Sequence, residues 1–106
     1  MFGIGFEKNE KEVNRKIIEI IQKWMKLPHY KVFYFGSRVT GGAGERSDID
    51  IGIDASQRIP GDIMVEIGSE LQELPIMQKI DVVDFNVVDE DFKKVALEKI
   101  EVIYEQ

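Results

Sequence analysis

The segment Asp48-Ile-Asp-Ile-Gly-Ile-Asp54 constrains this chain more tightly than any other. Carboxylate and isoleucine alternate with the period of a β-strand, so Asp48, Asp50 and Asp54 share one face, interrupted by Gly52, and Ile49, Ile51 and Ile53 share the other. A strand with one wholly aliphatic face belongs in a sheet with an apolar layer over that face. The same geometry sets Asp48 and Asp50 side by side, about 7 Å apart, within reach of one shared cation. Without a cation, like charges on one face repel and push one pKa upward.

The rest of the sequence supplies helices and further strands. Val13, Ile17, Ile20, Ile21, Trp24 and Leu27 recur at spacings of three and four, which predicts an amphipathic helix over residues 9–27, ended by Pro28. Lys31 to Phe35 is a β-branched and aromatic run that predicts a buried strand stopping at Gly36. Ile63, Ile67, Leu71 and Leu74 form one stripe of a helix from about Pro60 to Leu74. Ile80 to Phe85 predicts a third strand, and Asp89 a cap for a last helix carrying Phe92, Val95, Ala96, Ile100 and Ile103. The expectation is an α/β (α+β) fold: a small mixed three-stranded sheet with helices packed mainly on one face.

At 106 residues, residues 1–106 are expected to form a single domain with one core. The absence of cysteine excludes disulfides, thiolate-bound zinc and cysteine nucleophiles, and a reducing cytoplasm is the simplest location. No apolar run approaches a membrane span, and the N-terminus is too quickly charged for a signal peptide, so no membrane association is expected. A net charge of −6 argues against direct nucleic-acid binding, which relies on clustered lysine and arginine.

The most unusual stretch is GSRVTGGAGERS over residues 36–47, whose four glycines mark a loop. It lies just before the paired carboxylates, and glycines let backbone amides approach phosphate oxygens closely. Neither the P-loop spacing Gly-x4-Gly-Lys-Ser/Thr nor the dinucleotide spacing Gly-x-Gly-x-x-Gly is present. Hard carboxylate oxygens suit Mg²⁺, or Mn²⁺, and Mg²⁺ takes only one or two protein carboxylates while phosphates and waters complete its shell. That chemistry points to a nucleoside triphosphate.

Each signal alone has a plainer reading, since a glycine-rich stretch is usually a loop and an Asp-x-Asp usually a solvated strand face. In this order they resemble the Gly-Ser-Arg-x-x-Gly … Ser-Asp-x-Asp signature of the DNA polymerase β-like nucleotidyltransferase superfamily, with Gly36, Ser37, Arg38, Gly41, Ser47, Asp48 and Asp50 in register. The likeness is to its minimal members, among them the MntA-type antitoxins of HEPN/MNT toxin–antitoxin pairs. The resemblance implies that Gly36, Ser37, Arg38 and Ser47 bind the nucleotide. It further implies that Asp48 and Asp50 hold the metal, two Mg²⁺ ions in all, and that a third carboxylate comes from a later strand. KIDVVDF offers Asp81 and Asp84, which alternation puts on opposite faces. Only the resemblance favours Asp81, as third ligand and general base, and Asp84 is the alternative.

His29, at a helix end, is read as a partly exposed turn residue, Trp24 as core, and Asp54 and Asp62 as structural. Larger relatives carry extra domains that grip their acceptor, so recognition here is expected from a partner. By family analogy the partner is a HEPN-domain toxin whose tyrosine receives AMP from ATP. Two alternatives are a nucleotide-binding antitoxin that acts by occlusion and a transferase for a small hydroxylated molecule, the latter as a homo-oligomer.

Overall fold

The computed structural model describes residues 10–36 and 48–106. In chain order the elements are α1 (Glu10–Trp24), β1 (Tyr30–Phe35), β2 (Ile49–Ala55), α2 (Gly61–Gln72), β3 (Ile80–Asp84), α3 (Glu90–Ala96) and β4 (Glu101–Glu105). Helix α1 buries Val13, Ile17 and Ile21. Glu10 and Glu12 stand in its first turn and Lys23 in its last, the order that the helix dipole favours.

The sheet runs β3-β2-β1-β4. β1 is antiparallel to both β2 and β4, while β2 and β3 are parallel and joined through α2. A parallel pair cannot be closed by a tight turn, so the stretch between its strands has room for a covering helix. One face carries Ile49, Ile51, Ile53, Val32 and Tyr34, packed with Ile17 and Ile21 of α1 and Ile67 and Leu71 of α2. The opposite face has a smaller aromatic core of Phe33, Phe35 and Phe85, with Ala96, Leu97 and Ile100 against it. Two of the helices therefore cover the aliphatic face and the short α3 end covers the aromatic one.

This division locks the register of β2. A slip of one residue would exchange three fully buried isoleucines for two carboxylates and a glycine. Each isoleucine returned to water costs roughly 1.5–3 kcal/mol. The burial of Ile49, Ile51 and Ile53 is thus what directs Asp50 to the other side.

Among the described residues the sheet has four strands rather than three, and the last helix is shorter than the sequence pattern predicts. Asp89 caps α3, its side chain accepting from Phe92 N at 2.7 Å, and the helix carries Phe92, Val95 and Ala96 before it stops. Ile103 instead belongs to β4. Ile100 and Ile103 continue the helical spacing of three, but Val102-Ile103-Tyr104 is a β-branched and aromatic run. The outer edge of β1 offers that run a ladder of backbone partners. Tertiary pairing outweighs the local period.

Candidate active site

The carboxylate-bearing face of β2 meets β3 in parallel register, with Asp50 opposite Asp81 and Ile49 opposite Ile80. Paired residues on neighbouring strands lie about 4.8 Å apart and project to the same side, so Asp50 and Asp81 form a lateral pair. Asp48 precedes the strand on the same alternation and is exposed. The Asp50 carboxyl is held above its ordinary value, first by burial, then by the charge of Asp81, then by that of Asp48. Lys79 Nζ lies 3.9 Å from Asp81 Oδ1, an exposed pair that offsets little of this repulsion.

Among the described residues, no group of three acidic or imidazole side chains is gathered closely enough to cage an ion by itself. The donor set nonetheless fits a hard divalent cation. It consists of carboxylate oxygens alone, its negative charge is offset only weakly by the exposed Lys79 among the described residues, and Mg²⁺ typically draws only one or two ligands from protein. Asp48, Asp50 and Asp81 are the residues that would hold it.

Asp84 is placed differently. It is buried at 4% exposure, and its carboxylate accepts from Ile59 N at 2.8 Å and from Asn86 N at 2.9 Å. Asn86 Nδ2 in turn donates to Ala55 O at 2.8 Å. Asp84 therefore ties the connection after β2 to the end of β3, with its oxygens committed to backbone amides.

Gly36 closes β1 at φ 79°, in the left-handed region, and a Cβ there would lie 2.5 Å from Asp50 Oδ2. Two requirements meet at this position: a backbone that L side chains rarely adopt, and close approach to a carboxylate. Gly36→Ala is expected to lose about 1–2 kcal/mol of stability and to displace Asp50. A lower melting temperature together with lost nucleotide transfer would show both effects, whereas unchanged transfer would remove Gly36 from the site.

Ser37, Arg38 and Ser47, expected at the nucleotide, lie outside the described residues. Asp54 sits further along β2, with its Cα paired to that of Lys31, and Asp62 lies in the first turn of α2. His29 is exposed. Trp24 packs partly against the core and donates from Nε1 to Glu70 Oε1 at 2.5 Å.

Two features escape the sequence reading. Lys79 stands two residues before Asp81, the strand spacing that places it on the same side, and that position was its only signal. The aromatic core was encoded by the same alternation, since Phe33 and Phe35 share a parity within β1, but their face could not be known before β1 was paired with β2.

The sequence pattern of the polymerase beta nucleotidyltransferase family matches residues 15–106. The chain belongs to that family. As a polymerase β-type nucleotidyltransferase it is most informatively set beside MntA-type members. It is 29% identical over 80 residues to a Haemophilus influenzae protein named as a probable protein adenylyltransferase, MntA, covering 76% of this chain and 70% of that one. Its fold is similar to that of a Shewanella oneidensis complex of a tri-AMPylated HEPN toxin with an MNT antitoxin, at a TM-score of 0.71 and 18% identity, covering 91% of this chain and 72% of the other. A toxin–antitoxin structure with AMP-PNP is similar at a TM-score of 0.73 and 19% identity, covering 88% of this nucleotidyltransferase and 73% of that chain. No helix among its described residues is long and apolar enough to cross a membrane.

Proposed function

We propose that this nucleotidyltransferase acts in the cytoplasm as a one-domain antitoxin, moving AMP from ATP to a tyrosine hydroxyl of a HEPN-domain toxin and thereby neutralising it. The observation that carries the proposal is the lateral pair of Asp50 and Asp81, with Gly36 against Asp50. The Haemophilus relative's name and the AMPylated toxin in the Shewanella complex support adenylyl transfer to a HEPN toxin, and the tyrosine is carried over from the family resemblance. A net charge of −6 suits association with a basic, RNA-directed partner.

Mg²⁺ held by Asp48, Asp50 and Asp81 would supply Lewis-acid charge neutralisation on the triphosphate and ease ionisation of the acceptor hydroxyl. The chain's own contribution is arrangement. Asp48 and Asp50 would hold the cation that carries the triphosphate, and Gly36, with no side chain, lets the backbone come close to Asp50 and to the phosphates. Ser37, Arg38 and Ser47 are assigned to the same phosphates through the family pattern. A carboxylate oxygen of Asp81 takes the tyrosine proton as the tyrosine oxygen bonds to the α-phosphorus and the bond to pyrophosphate breaks.

The test is incubation with Mg²⁺, ATP labelled at the α-phosphate and the candidate HEPN partner, beside Asp48→Asn. Label on a tyrosine of the partner, lost in the variant, is the expected result. If the partner stays bound and silenced with no label under any nucleoside triphosphate, transfer is replaced by occlusion. Label on a small hydroxylated molecule instead would reassign the acceptor.

A further inference from the structure

Beside the carboxylates, the structure holds a cavity of about 400 Å³ lined by Phe35, Gly36, Phe92, Val95, Ala96, Glu98 and Lys99. Its volume falls within the roughly 300–1,000 Å³ of small-molecule sites. The aromatic core forms its floor. Phe35 and Phe92 meet edge-to-face at 6.0 Å and 73°, and both rings pack on Phe85, at 5.2 Å and 5.9 Å. Phe35 is buried, whereas Phe92, within the same cluster, keeps 41% of its surface exposed. Val95 is exposed at 67%. One carboxylate and one ammonium, from Glu98 and Lys99, complete the lining.

We infer that this cavity receives the nucleobase of the nucleoside triphosphate, stacked on the exposed part of Phe92. The inference rests on the nucleotidyltransferase reading above and extends it to the nucleoside. Continuity selects the occupant. Gly36 is at once a wall of the cavity and the residue against Asp50 Oδ2, so the cavity adjoins the place assigned to the phosphates. A base tethered through its ribose to the α-phosphate is delivered there without a separate binding event. Aromatic rings stack on any base through its π-face. Glu98 can accept from an exocyclic amino group and Lys99 can donate to a ring nitrogen or carbonyl.

The measurement is calorimetric titration in Mg²⁺ of the parent, Phe92→Ala and Val95→Glu, each with ATP and with inorganic tripolyphosphate. Val95→Glu alters an exposed rim position, which guards against a softened aromatic core in Phe92→Ala. Phe92→Ala is expected to weaken ATP by about tenfold, the scale of one lost stacking contact, Val95→Glu to weaken it by placing a charged side chain at the rim, and both to leave tripolyphosphate unchanged. Equal ATP affinity in parent and variants overturns the inference while leaving the proposed reaction intact. If those variants keep ATP affinity but lose transfer, the cavity belongs to the acceptor and the inference also fails. A parent that binds neither probe removes the nucleotide site, and the inference with it.

Discussion

Asp50→Asn is expected to reduce transfer by about a hundredfold to a thousandfold and, in chelator, to leave the protein more stable than its parent. The two effects have one origin. Asp50 sits half-buried opposite Asp81, and burial first, then Asp81, then Asp48, raise its carboxyl above the ordinary value. An acid whose folded pKa is raised contributes stability that is fully present below its unfolded pKa, near 3.8, and lost as pH rises through the folded pKa. At neutral pH the charged Asp50 therefore opposes folding. The amide removes both the buried charge and its repulsion by Asp81 and Asp48, a small gain because the group is partly exposed.

A divalent cation reverses the balance, since it makes the clustered charge favourable. Thermal melts with chelator and with Mg²⁺ separate the two regimes. The parent is expected to gain stability from Mg²⁺ and the variant to gain little, although the variant starts higher. A variant that melts below its parent in chelator would contradict this electrostatic account of Asp50.

The second large effect is structural. Gly52→Val is expected to cost about 3 kcal/mol, at the upper end of overpacking penalties. A Cβ at Gly52 would stand 2.5 Å from Phe33 Cε1 and Cζ and 2.7 Å from Phe85 Cε1. Neither ring can easily withdraw. They meet edge-to-face at 4.9 Å and 73°, both fully buried, with Phe35 packed against each. The higher strand propensity of valine is too small to offset such a collision. Urea unfolding reads the outcome as a lower midpoint at unchanged slope. Pairing Gly52→Val with Phe33→Leu should recover part of the loss, because the two changes share one space. Strictly additive losses would mean that the ring contact is not the cause.

Much of this architecture is legible locally because each element carries its own period. The three-and-four spacing of Val13, Ile17 and Ile21 marks α1, and the alternation through Ile49, Ile51 and Ile53 marks β2 and its two faces. What could not be read is pairing. β4 is stabilised by β1, some seventy residues earlier in the chain, while its own Ile103 also satisfied a helical period. Alternation puts Asp81 and Asp84 on opposite faces but is silent on which one meets Asp50. That follows from the parallel register with β2. The commitment of Asp84 to Ile59 N and Asn86 N is likewise a contact between segments that only the fold brings together.

The place of β3 in the strand order also bears on how a bulky acceptor is met. β3 is the outermost strand on its side of the sheet, and it bears Asp81. Among the described residues no further strand shields that carboxylate laterally. An acceptor built into a rigid protein surface can come alongside and present one side chain broadside, with no rearrangement of the sheet. Encounter with such a partner would then depend on the match of two preformed surfaces, a setting in which mutations at the contact act mainly on how long the complex lasts.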